Sequence, residues 1–287
     1  MKLLIIIVGL VVATHATERH DIITDYHNVI GIPLAQKIKQ SESAMDFDGS
    51  RIIGGSVAGL GAHPYLGGLV IQLTTGWQSV CGASLLSQTR AVTAAHCWAT
   101  RTSQASQLTT VWGSQTLFSG GVRIVTTNVR MHASYNMNNL NNDIAMIIIN
   151  SVGLTTNIQP IRIDSGSNQH VGTWATAAGY GATSDSQQGI PNNTVKRHVN
   201  MVIMDNSVCA RFYFPGIVIH STLCTDTARG TASICGGDSG GPLVIGSSAN
   251  RILTGLSSFV SSAGCQSGSP AGFARIASFA DWINSNM

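Results

Sequence analysis

Charge is what this sequence has least of. Asp, Glu, Lys and Arg together make up 10% of its 287 residues, against roughly 25% in ordinary soluble chains. Beyond residue 51 there is no glutamate and a single lysine, Lys196, beside ten arginines. Ser, Thr, Asn, Gln and Gly must therefore supply the polar surface. A net charge of +3, scattered along the chain, excludes the basic stripe of a nucleic-acid binder. Long apolar runs are missing as well. The run from Leu3 to Val12 is about half of the ~20 residues a membrane span requires. With Lys2 before it and small residues up to Ala16 after it, it reads as a secretory signal peptide over residues 1–16. No CxxC pair occurs, which weakens any metal reading.

Six cysteines are present: Cys81, Cys97, Cys209, Cys224, Cys235 and Cys265. An even count in an exported chain points to disulfides, with the connectivity left open by spacing alone. Residues 17–51 are polar and patchy and end at RIIGGSVA, Arg51 to Ala58. A basic residue before an apolar pair and two glycines reads as a processing site, so residues 17–51 are expected to be an activation propeptide. Beyond it, β-prone runs at 65–73, 122–131, 144–150 and 251–260 alternate with Gly, Ser and Asn clusters. That pattern predicts a sandwich or barrel rather than βαβ units. Only the tail carries a helical stripe, with Ile276, Phe279, Ala280 and Ile283 at i, i+3, i+4 and i+7.

The stretch CGGDSGGPL, Cys235 to Leu243, sets Ser239 among four glycines. Glycine reaches backbone geometries closed to other residues, so the loop suits an exposed nucleophile as well as a bland turn. A serine hydroxyl needs a base, and the base needs an orienting group. Among the histidines, His96 in VTAAHC sits between small residues and beside Cys97; His63, His132, His170, His198 and His220 lie in less constrained settings. Asp143 opens the apolar run NNDIAMIII, and an acid abutting a buried strand must be paired. Chain order then discriminates. No histidine follows Ser239, which excludes the Ser, acid, His order of the α/β-hydrolases. Every acid before His96 lies in the expected propeptide, which excludes the subtilisin order. The order His96, Asp143, Ser239 survives.

RIIGG, TAAHC, NNDIAM, CGGDSGGPL and ADWI, in that order over residues 51–283, resemble the chymotrypsin, trypsin and elastase family of serine endopeptidases, in particular its insect digestive members. The resemblance implies an all-β fold of two six-stranded antiparallel barrels with a C-terminal helix: a protease domain over residues 52–287, with barrels at about 52–161 and 162–275 and the helix at about 276–287. It implies the pairs Cys81–Cys97, Cys209–Cys224 and Cys235–Cys265, a His96–Asp143–Ser239 triad, and an oxyanion hole from the N–H groups of Gly237 and Ser239. It also implies that cleavage after Arg51 frees the amine of Ile52 to pair with Asp238.

By the same pattern Ser233 forms the floor of the specificity pocket, with Val260 and Ala271 in its walls and Ser258 on the strand that binds peptide. An uncharged floor disfavours Arg and Lys, because their charge would be buried unpaired. The expectation is elastase-like cleavage after small or medium apolar residues, with a chymotrypsin-like aromatic preference close behind. No cofactor and no metal are expected; no acid occurs from Arg90 to Asn142 to hold calcium. The expected partners are protein or peptide substrates, a trypsin-like activating protease and protein protease inhibitors, with no nucleic acid and no membrane. The chain is expected to act as a monomer secreted into a gut lumen. Arginine in place of lysine keeps its charge at high pH and fits an alkaline medium; compositional drift or avoidance of trypsin sites fits equally. Asn192-Asn193-Thr194 is one glycosylation sequon. A regulatory cascade protease and an inactive homologue acting as a binding protein are the rival readings.

Overall fold

The computed structural model describes residues 19–43, 55–185, 196–247 and 250–287. The signal peptide, the Arg51–Ile52 bond and the Asn192 sequon lie outside the described residues.

Two antiparallel β units follow one another along the chain. Strand β1 (Ser56–Val57) precedes β2 (Leu66–Leu73), β3 (Gln78–Ser87), β4 (Arg90–Thr93), β5 (Ala105–Trp112), β6 (Val122–Thr126), β7 (Val129–Met131) and β8 (Ala145–Ile148). Strands β2 to β8 form a curled seven-stranded sheet in the order β6-β5-β2-β3-β4-β8-β7. The second unit uses β9 (Arg162–Ile163), β10 (Trp174–Gly179), β11 (Arg197–Met204), β12 (Thr222–Asp226), β13 (Pro242–Ile245), β14 (Ile252–Phe259) and β15 (Ala271–Arg275). Its order β11-β10-β13-β14-β15-β12 closes through a β11–β12 pairing, so six strands make a complete ring. The short strands β1 and β9 are added to that ring, through β11 and β14. Strand β1 therefore leaves the first unit, against the expectation that residues 52–161 stay together.

The run 122–131 becomes two strands rather than one. The Thr126 hydroxyl donates to the Ile148 carbonyl (2.6 Å) and accepts from the Asn128 N–H (3.1 Å). That local bond competes with the sheet ladder and turns the chain.

Alternation along β2 explains the packing. Leu69, Ile71 and Leu73 point into the first core with Leu85, Leu108 and Trp112. Leu66 and Val70 point the other way and are equally buried, with Val80 and Val111 as neighbours. Successive strand residues face opposite sides, so this outer face also needs a cover. The tail supplies a different cover. A single-turn 3₁₀ segment (Ile276–Phe279) leads into a short α-helix (Ala280–Ser285). All four stripe residues are buried, and Ile276, Phe279 and Ile283 pack against Val92 and Met146 of one unit and Val244 and Leu256 of the other. The tail thus clamps the two units into one body.

The largest departure from the sequence reading lies in residues 17–51. Read as a patchy polar stretch, the segment contains a continuous helical run. A π turn (His27–Gly31) leads into helix α1 (Ile32–Ser43). Pro33 cannot donate an i→i−4 bond, and the wide turn lies directly before it. Leu34, Ala35 and Ile38 are buried against Leu66, Val70 and Val80, which makes α1 the cover of the outer face.

Candidate active site

His96 sits in a 3₁₀ turn (Ala95–Cys97) directly after β4, and Asp143 directly before β8, the strand that pairs with β4. Pairing Thr93 with Ala145 therefore brings the ring and the carboxylate together. The His96 Nδ1 is 2.7 Å from the Asp143 Oδ2, and the His96 backbone N–H donates to the Asp143 Oδ1 at 2.9 Å. The Ser258 hydroxyl donates to the Asp143 Oδ2 at 2.6 Å. Asp143 is 1% exposed. A buried carboxylate holding three hydrogen bonds has little freedom to rotate, so it fixes the ring that it faces.

The Cys81–Cys97 disulfide ties the residue beside His96 to β3. The serine loop is then pressed against both. The Gly82 N–H donates to the Ser239 carbonyl at 2.7 Å, and Thr93 donates to the Gly82 carbonyl. Gly240 has φ +75° and lies so close to Thr93 and Ala94 that a Cβ there would meet the Thr93 Oγ1 at 2.1 Å. Only glycine meets both demands. This close approach sets Ser239 beside the histidine turn. The Cys235–Cys265 disulfide anchors the other end of the loop, and Cys209–Cys224 joins β12 to a short helix (Asn206–Cys209). The three expected pairs are the ones present. The sulfurs of two of them lie within the clusters Cys81–His96–Cys97 and Asp185–Cys235–Cys265, where a disulfide leaves no thiolate to ligate a metal.

Gly237 has φ +96°, a left-handed conformation that favours glycine. Asp238 is directed inward. Its carboxylate accepts from the N–H groups of Gly181 and Cys235, both at 2.9 Å. Gly179 and Gly181 leave the space that it occupies, since a Cβ on either would meet the Asp238 side chain closer than 2.6 Å. Among the described residues Asp238 has no cationic partner, and burial pushes its pKa up to about 6 while the two N–H groups pull it down.

Ser233 is fully buried and its hydroxyl has no hydrogen-bond partner among the described residues. Ala271 is equally buried, at the first position of β15. Val260 is half-buried and lines a cavity of about 30 Å³ together with Ser258, Ser239 and Ile234. Among the described residues no carboxylate lines that space. Ser258, expected only as a peptide-binding position, spends its side chain on Asp143. The i+115 separation of those residues left no signal for that bond in the sequence.

The comparisons with known proteins agree with this geometry. A family model described as Trypsin matches residues 52–283. A collagenase of Hypoderma lineatum is 39% identical over 239 residues, which cover 82% of this chain and 87% of that protein. A brachyurin of Leptuca pugilator is 37% identical, with 71% of this chain and 85% of that one covered. A solved structure of HL collagenase superposes with a TM-score of 0.74 at 38% identity, over 82% of this chain and 98% of that one. The chain belongs to the trypsin family of serine endopeptidases.

Proposed function

We propose that this endopeptidase is an exported precursor that is activated by cleavage after Arg51 and cuts peptides after apolar residues, as a digestive enzyme. In this reading Ser239 attacks the peptide carbonyl while His96 takes its proton and later gives it to the leaving amine. Asp143 holds the ring's tautomer and stabilises its charged form. The N–H groups of Gly237 and Ser239 bind the oxyanion; losing one such donor typically raises the barrier by ~3 kcal/mol. The carboxylate of Asp238 supports the activation step. With its pKa at about 6, keeping it ionised at neutral pH costs roughly 3 kcal/mol. A free amine at Ile52 would offset that cost, which couples cleavage to the shape of the oxyanion loop.

The observation that carries the specificity is the uncharged floor. Ser233 is buried and uncharged, and no carboxylate is among the described residues that line the cavity beside Ser239. Collagen is a substrate to include, since one relative bears the name collagenase. The test is a comparison of kcat/KM on matched peptides with Ala, Leu, Phe or Arg before the cut, after activation with trypsin. The reading expects Ala, Leu or Phe to be fastest and Arg slowest; fastest cleavage after Arg overturns it.

A further inference from the structure

Residues 19–43 lie in the catalytic cleft as well as against the outer face. Toward its start the segment runs along the strand end that follows β14. Ile22 pairs antiparallel with Ser261, and the Ser262 N–H donates to the Asp21 carbonyl at 2.8 Å. A substrate strand would add to the same edge. The segment then turns into its helix at the catalytic residues, and the group it places there is a phenol rather than a peptide carbonyl. The Tyr26 ring lies against His96 with centroids 4.7 Å apart and planes tilted by 57°, and its hydroxyl donates to the Val80 carbonyl at 2.6 Å. Burial pushes the Tyr26 pKa up, and hydrogen bonding from the Ser239 side chain and the Gly237 main chain works against that rise. The phenol oxygen thus lies beside the Ser239 side chain and the Gly237 main chain. His96 is fully buried beneath it, and its Nε2 has no hydrogen-bond partner among the described residues.

The rest of the segment fits the same surface. Ile30 and Leu34 press on the serine loop, so that a Cβ at Gly236 would meet the Ile30 Cγ2 at 2.6 Å and one at Gly237 the Leu34 Cδ2 at 2.4 Å. Gly31 approaches β3 so closely that a Cβ would meet the Ser79 Oγ at 1.9 Å. Glu42 closes the far end, accepting from the N–H groups of Leu117 (2.6 Å) and Phe118 (3.0 Å) and from the Ser119 hydroxyl (2.9 Å). The outer residues of β2, β3 and β5 under α1 are Leu66, Val70, Val80 and Val111, an apolar face shaped for this cover.

We propose that residues 19–43 are a cleft-bound inhibitor of this protease, so that cleavage after Arg51 is not sufficient for activity and the segment must also dissociate or be degraded. The proposal rests on the reading of His96, Asp143 and Ser239 as the reacting groups. The group that the described segment sets beside His96 and Ser239 is the Tyr26 side chain, so the proposal expects the segment to resist the enzyme that it covers. Lys37 and Lys39 lie on α1, so a trypsin-like activator that cuts after Arg51 also has sites within the inhibitor.

The experiment starts from the folded full chain, cleaved after Arg51, with the released peptides removed by size exclusion. A synthetic peptide of residues 19–43, fluorescently labelled, is titrated with the separated domain by anisotropy, and the same peptide is tested against hydrolysis of an apolar-P1 substrate. The expected result is saturable binding and competitive inhibition, with Tyr26→Ala weakening both by about 30-fold or more, as for a buried aromatic anchor. A second peptide, Leu34→Asp, is expected to bind no better. Turnover of the substrate with no binding of the peptide overturns the proposal, and so does rapid hydrolysis of the peptide itself. Equal affinity of the wild-type and Tyr26→Ala peptides overturns the assigned anchor. Binding by a domain that hydrolyses none of the substrates would leave the inhibitor standing and remove the proposed specificity instead.

Discussion

Acid should loosen residues 19–43 from the cleft, and His27 is the group that makes it do so. The ring is fully buried. Its Nδ1 is 2.8 Å from the Ser79 hydroxyl, the Tyr26 ring stands edge-on at 5.6 Å, and His96 and Asp25 are the charged or titratable groups that face it. Burial, then the neighbouring His96, pushes its pKa down to about 4, with Asp25 and the His96 backbone pulling the other way. A depression from 6.5 to about 4 favours the neutral ring in the docked state by roughly 3 kcal/mol. The sign follows from linkage: a histidine whose bound-state pKa is lowered leaves docking at full strength above 6.5 and weakens it as pH falls from there toward 4. Anisotropy titrations of the 19–43 peptide from pH 8 to pH 4.5 should show the Kd rising by about a hundredfold. A His27→Gln peptide keeps a polar partner for Ser79 without a titrating ring, and its affinity should change far less over the same range. Parallel weakening of the two peptides would place the proton elsewhere and refute the assignment, as would a Kd independent of pH.

Three further outcomes are expected. Ser258→Ala removes a charge-assisted hydrogen bond to Asp143, worth about 1.5–3 kcal/mol; stopped-time assays of the activated enzyme should find kcat reduced by about 10- to 100-fold with KM little changed. Asp238→Asn removes a buried charge that has no cation before cleavage, so calorimetry at pH 7.5 should find the uncleaved chain's Tm raised. Once cleaved after Arg51 and freed of residues 19–43, the variant should stay far less active than the wild type treated alike, and full activity would count against the Ile52 pairing. Ser233→Asp sets an acid at the pocket floor, and the ratio of kcat/KM for Arg over Leu substrates should rise by at least about tenfold through one charge-assisted contact.

The strand runs at 65–73, 144–150 and 251–260 were legible because alternation and β-branched residues are local properties, and they correspond to β2, β8 and β14. The run at 122–131 was legible only as extended chain, since the bond from Thr126 to Ile148 that divides it joins distant residues. The helical stripe of the tail was readable by its period, but its first turn is 3₁₀, a distinction the apolar spacing does not encode. The helix over Ile32–Ser43 was missed for a different reason. Leu34 and Ile38 stand at helical spacing, yet Pro33, two lysines and polar neighbours dilute the stripe to the point where a solvated tail reads the same.

By itself the sequence singled out the candidate reacting groups. A hydroxyl, an imidazole and a carboxylate in a fixed chain order, each inside a short motif, specify one chemistry, because side-chain reactivity and glycine's backbone freedom are properties of the residues and their immediate neighbours. Tertiary structure alone decided what surrounds them: the Ser258 hydroxyl on Asp143, the tyrosine ring over His96, and the helix that covers the outer face of β2. Those contacts join surfaces far apart in the chain, and complementarity between such surfaces arises only when folding brings them together.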